Sequence, residues 1–166
     1  MDSQEPFLKS SFAPIIGSQT HILILGSMPG DKSIELNEYY GHPRNRFWKI
    51  LAWITNNKEP GNYAEKLSLL QLLRIGLWDV VHQATREGSL DSAIKDAIPN
   101  DLDHFFDHHK SIEVLAFNGQ KAEKMFDKHF QRKPGLRYVS LPSSSPANAT
   151  YNFEKISMIW KEGLMI

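Results

Sequence analysis

The chain has 166 residues, 41% of them hydrophobic, with 19 basic and 19 acidic side chains and no cysteine. That length suits one domain, residues 1–166, with a core of useful size. The missing cysteines exclude disulfides, thiolate nucleophiles, cysteine-ligated zinc and iron–sulfur clusters, and the charge balance excludes a strongly basic coat for nucleic acid. No apolar run approaches the ~20 residues of a membrane span. Residues 1–14 carry no charged-then-apolar leader pattern, so a cytoplasmic setting is expected.

His21 to Ser27, HILILGS, is a continuous apolar run ended by small residues, the pattern of a buried parallel strand. It runs into Gly26-Ser27-Met28-Pro29-Gly30, which matches neither GxxxxGK[ST] nor GxGxxG. This turn reads as a tight strand exit, or as a place where backbone N–H groups approach a ligand closely. In Tyr39-Tyr40-Gly41-His42-Pro43, one tyrosine is expected in the loop core and one can offer its face to a flat ring. Asn45 reads as the cap of a helix whose Phe47, Ile50, Leu51 and Ile54 fall at helical spacing. It reads equally as an amide on a pocket floor, able to orient a water or donate to a ring. Arg44, Arg46 and Lys49 form a local basic patch.

Ala64 to Ile75 reads as a helix ended by Gly76. Leu77 to Val81, LWDVV, reads as a strand with one acid. Burial of that acid, Asp79, calls for a partner arginine, a helix N-terminus or a ligand N–H. Asp91 to Ala97 and Asp101 to His108 read as short helices separated by Pro99. His104 and His108 have metal-ligand spacing, but their polar segment reads as an exposed helix, and no metal or cofactor is expected. Glu113 to Phe117 is a third strand, turning at Asn118-Gly119 into a helix from Gln120 to Phe130. A second basic patch, Arg132, Lys133 and Arg137, leads into a fourth strand, Arg137 to Leu141. In Leu141 to Asn148, LPSSSPAN, Ser143, Ser144 and Ser145 stand between two prolines. The segment reads as a surface turn. It reads also as a stiff loop whose hydroxyls and N–H groups grip phosphates while the Pro146-Ala147 tip enters a duplex. Phe153, Ile156, Ile159 and Trp160 line one face of a closing helix.

Strands alternating with helices imply parallel crossovers and an α/β sandwich. Ligands bind such sheets at the carboxyl ends of the strands. The unusual segments all fall there: GSMPG, Asp79, Asn118-Gly119 and PSSSPAN. There is no GxSxG elbow for a serine hydrolase.

Four of these segments resemble the motifs of the uracil-DNA glycosylase superfamily: Gly26-Ser27-x-Pro29, YYGHPRNRFW from Tyr39 to Trp48, GLWDVV from Gly76 to Val81, and LPSSSPAN. The hypoxanthine-DNA glycosylase branch fits best, with similarity to mismatch-specific uracil/thymine glycosylases. The resemblance runs from Ile22 to Asn148. It implies a three-layer α/β/α sandwich with a mainly parallel four-stranded sheet. It also implies a monomer that flips hypoxanthine or uracil from double-stranded DNA and hydrolyses the N-glycosidic bond without a cofactor. Asn45 then matches the catalytic amide, Tyr40 the stacking ring, and Ser27, Met28, Pro29 and Gly30 the base-binding turn. Asp79 falls where relatives carry a base-reading Asn, and Asn118 joins that pocket. Ser143 to Asn148 match the loop that pinches the backbone, with Arg44 and Arg46 on the DNA side.

Two departures matter. Met28 stands where many superfamily members carry an Asp or Asn that positions water, and Leu141 stands where a His is usual. They imply weak activity on ordinary uracil. They also keep open a catalytically weak lesion- or mismatch-binding protein on the same fold. The absence of lysine from either core motif implies a monofunctional enzyme without lyase activity. An enzyme of free nucleosides would have no use for the PSSSPAN loop.

Overall fold

The computed structural model describes residues 7–166. Strand β1 (Leu8–Ser10) opens them, and β2 (Ile22–Gly26) follows. All five residues of β2 are buried, because the strand lies inside a sheet covered on both faces. The sheet is parallel, in the order β3 (Ile75–Asp79), β2, β6 (Val114–Asn118), β7 (Arg137–Leu141). Alternate side chains of β2 face opposite ways. Ile22 and Ile24 pack in a core with helices α2 (Phe47–Ile54), α3 (Tyr63–Leu73) and α6 (Phe153–Leu164). Leu23 and Leu25 pack in a second core with α4 (Leu102–His108) and α5 (Gln120–His129). The three-layer sandwich and its four-stranded parallel sheet agree with the sequence reading. A short helix, α1 (Asp31–Leu36), follows the first turn. Among the described residues, no helix is long and apolar enough to cross a membrane.

Three elements differ from the sequence reading. Helix α3 stops at Leu73, and Arg74 takes the left-handed capping position at φ 58, its N–H returning to Leu70 and Gln71 carbonyls. Gly76, expected as that cap, lies inside β3, where a Cβ would meet the Ile15 carbonyl oxygen at 2.7 Å. The glycine serves a close chain crossing rather than a helix end.

The LWDVV segment is two strands. The chain leaves the parallel sheet after Asp79, and β4 (Val81–Thr85) enters a separate antiparallel sheet, between β1 and β5 (Lys95–Pro99). Val80 and Val81 still donate to the Gly26 and Ser27 carbonyls, at 2.9 and 3.0 Å, so the bend stays fastened to the first turn. Asp91 to Ala97 is not an α-helix. Asp91–Ala93 is one 3-10 turn and Lys95–Pro99 is β5. Asp96 at φ 52 breaks any helical run, and pairing with β4 overrides the local pattern.

Candidate active site

The carboxyl ends of β2 and β3 bring Gly26 opposite Asp79, and those of β6 and β7 bring Asn118 opposite Leu141. Beyond these ends opens a pocket of about 470 Å³. The Ser27–Gly30 turn, Tyr40, Asn45, Asp79, Asn118 and Ser143 to Asn148 all line it, so residues far apart in sequence share one site. His42 lines it too, whereas His82 is exposed on β4 and lies outside it.

The two tyrosines divide their roles. Tyr39 is buried, and its hydroxyl donates to the Ala13 carbonyl at 2.9 Å. Tyr40 faces the pocket with one side of its ring stacked on Phe47, centroids 4.1 Å apart. Its backbone is left-handed at φ 52, a strained state for a non-glycine residue. Its hydroxyl is buried without a hydrogen-bond partner. Burial, and next the charge of Asp79, holds its pKa well above the ordinary phenol range, so it stays protonated. A Cβ on Gly26 would lie 2.6 Å from Asp79 Oδ1 and 3.2 Å from Tyr40 Oη. Both polar atoms converge on space that only a glycine leaves free.

Asp79 is 3% exposed, and its Oδ2 has no partner. Burial, then the charge of Asp91, pushes its pKa up to about 7, against the pull of Arg86. Arg86 lies near Asp79 but forms no salt bridge with it, so the partner arginine of the sequence reading is present only as a nearby charge. It is 1% exposed, and its Nη2 donates to the Pro29 carbonyl, while its Nε is unpartnered. The Ser27 hydroxyl donates to Asp91 Oδ1 at 2.5 Å, and the Asp31 N–H donates to Ser89 Oγ at 2.9 Å. The segment from Arg86 to Ser92 therefore backs the first turn, and its Ser89 to Ser92 stretch lines the pocket. Sequence reasoning passed over this segment, because an arginine followed by acids and serines reads as solvated surface. Met28 is buried in the core beside Leu25 and Val80, so its side chain serves packing while its backbone borders the site.

Asn45 stands just ahead of α2 and at the pocket. Its Oδ1 accepts from the Phe47 N–H at 3.0 Å, which fixes the start of α2, although Arg46 holds the capping position itself. The amide also borders the pocket. An amide oxygen has a second lone pair and the NH2 has two donors, so the group can still position a water.

The opposite bank is a neutral network. Ser144 is fully buried, and its hydroxyl and N–H meet Asn118 Nδ2 and Oδ1, each at 2.9 Å. Asn148 Nδ2 donates to the Ser143 carbonyl, and the Ser145 hydroxyl accepts from the Ala147 N–H. Pro146 and Ala147 stand exposed at the tip. Two expectations change here. Ser144, read as a phosphate grip, points inward. Asn118, read as a base contact, lines the pocket while giving one amide proton to Ser144 Oγ and accepting the Ser144 N–H. Arg46, read as a DNA contact, gives Nη1 and Nη2 to the carbonyls of Tyr151 and Asn148, at 2.8 and 2.9 Å, and braces the loop. Arg44 is exposed on the same segment.

The second basic patch is neutralised. Arg132 pairs with Glu123 and Asp127, Lys133 pairs with Asp103 and Asp107, and Arg137 caps the carbonyls of α6. His108 bonds the His104 carbonyl, and no group of metal-ligating side chains occurs among the described residues.

The sequence profile of the uracil DNA glycosylase superfamily matches residues 14–162. A hypoxanthine DNA glycosylase of Methanosarcina barkeri is 40% identical over 84% of this chain and 88% of its own length. One from Methanosarcina acetivorans is 39% identical, over 87% and 91%. The solution NMR structure of a proposed uracil DNA glycosylase from Methanosarcina acetivorans superposes with a TM-score of 0.76 at 34% identity, covering 93% of this chain and 98% of that one.

Proposed function

Because the chain belongs to the uracil DNA glycosylase superfamily, we propose that it is a monofunctional DNA glycosylase that removes hypoxanthine or uracil from duplex DNA. The observation that carries this reading is Asp79, a pocket-lining carboxylate buried without a partner for its Oδ2. An apolar site has no use for such a group, but a ring N–H does.

Flipping a base costs a few kcal/mol, least at a mismatched or damaged pair, so deaminated bases are favoured before any chemistry. The extruded ring lies against the face of Tyr40 that Phe47 does not cover. N1–H of hypoxanthine, or N3–H of uracil, donates to Asp79. Adenine presents a lone pair at that edge and would leave the carboxylate unpaired, a strong ground for rejection. The C1′–N bond then breaks, its electron pair leaves with the base, and the sugar becomes oxocarbenium-like. Water held by Asn45 bonds to C1′ and loses its proton to solvent. The Met28 and Gly30 N–H groups enter no backbone hydrogen bond among the described residues and lie at the turn that the departing base meets. Donors fixed towards developing charge are commonly the largest catalytic contribution. Pro146 and Ala147 fill the gap in the duplex.

The test is single-turnover cleavage of labelled duplexes carrying hypoxanthine or uracil opposite each normal base. Alkali-dependent breaks and no borohydride-trapped adduct are expected. Tight binding to an abasic duplex with no cleavage of any substrate would make this a lesion-binding protein instead.

A further inference from the structure

Arg86 is the one buried arginine, and the reaction as described leaves it without a task. It sits at the exit of β4, its own N–H donating to the Phe7 carbonyl at 2.8 Å. Its guanidinium reaches under the Ser27–Gly30 turn to the Pro29 carbonyl. A charge this buried is unfavourable unless it is used. Among the described residues, the neighbouring carboxylates are Asp79, Asp91 and Asp31, yet none of them forms a salt bridge with it. Asp31 is taken by Lys9, and Asp91 accepts from Ser27.

The Pro29 carbonyl, an acceptor that would repel a base anion, is drawn to Arg86, and the Ser27 hydroxyl is held by Asp91. Among the described residues, the donors at Met28 and Gly30 remain uncommitted within the backbone. Breaking the C1′–N bond puts an electron pair on the base, and that charge develops against this turn. We infer that Arg86 is a positioning residue for the departing base: it fixes the Ser27–Gly30 turn through Pro29 and sets a positive charge behind it. The inference rests on the glycosylase reading.

A residue with this role is needed most when the base leaves poorly. The test compares uracil with 5-fluorouracil, and hypoxanthine with 8-azahypoxanthine, in otherwise identical duplexes. In each pair the second ring withdraws more electron density and leaves more readily. Single-turnover rates are measured for the wild type and for Arg86→Gln, with folding checked by circular dichroism. Arg86→Gln should slow the parent bases by about a hundredfold and the analogues by about tenfold or less. Arg86→Lys, which keeps the charge, should restore part of the difference. Equal losses for parent and analogue would overturn the inference and leave Arg86 a structural residue. If Arg86→Gln does not fold, Asp91→Asn decides the matter. It removes a negative charge beside Arg86 and keeps an acceptor for Ser27, so the gap between parent and analogue should narrow; an unchanged gap overturns the inference. A wild type that cleaves none of the four substrates overturns the glycosylase reading itself, and this inference with it.

Discussion

One bank of the pocket, Ser143 to Asn148, is held by amides, hydroxyls and carbonyls, and Arg46 braces it from the cap of α2 through two carbonyls. The other, Ser27 to Gly30, rests on buried or half-buried charge: Arg86, Asp91 and Asp79. A neutral network keeps its shape at any pH. Buried charges respond to pH and to whatever enters beside them, and they lower stability when unpaired. On the proposed reading, the side that bears a bent duplex is thus insulated, and the side that judges the base is electrically exposed to it.

The largest effect should come from the residue that faces both banks. Asn45→Ala should slow single-turnover cleavage about a hundredfold, roughly 2.7 kcal/mol, with abasic-site binding unchanged. An unaltered rate would remove Asn45 from the chemistry.

Asp79 sharpens the contrast through pH. Its pKa in the fold, about 7, lies above its ordinary value of 3.8. Such a group contributes stability that is complete below pH 3.8 and is lost as pH rises through about 7. In the fold, the carboxylate that accepts a ring N–H forms around pH 7, at the upper end of that window. Cleavage of hypoxanthine should therefore rise with pH towards a plateau above 7 while the melting temperature falls. Asp79→Asn should flatten both trends and slow cleavage at high pH by about tenfold. Parallel profiles for wild type and variant would assign Asp79 a packing role.

The insulated bank should behave differently. Asn118→Ala breaks two hydrogen bonds and strands the Ser144 hydroxyl, at a cost of roughly 2–3 kcal/mol in urea unfolding. That loss should be the same at acid and alkaline pH, and a pH-dependent loss would break the comparison. The smallest effect should be at the remote patch. Arg132→Ala breaks exposed pairs and should change stability by less than about 1 kcal/mol, with no change in cleavage rate.

Much of this site was legible in the sequence, for a physical reason. Strand ends in a parallel sheet face one way, so Gly26, Asp79, Asn118 and the serine loop had to meet once the strands were recognised. What stayed hidden was direction. Residue type says that Ser144 and Arg46 can bond phosphate, but not that one points inward and the other clasps its own loop. Arg86 stayed hidden because its burial depends on β4 pairing with β1, a contact between distant segments. Arg74 likewise caps a helix where local propensity favours the glycine two residues on.

The bracing of the serine loop also bears on how the chain is made. Arg46 is synthesised long before Asn148 and Tyr151, the carbonyls it holds, and Leu8 must wait for Thr85. Contacts so distant in sequence form late in folding. A nascent chain halted before Tyr151 has the first turn and its tyrosines but no braced second bank. On the proposed reading, a chain halted there should not release bases from DNA, because the second bank of its pocket is unbraced.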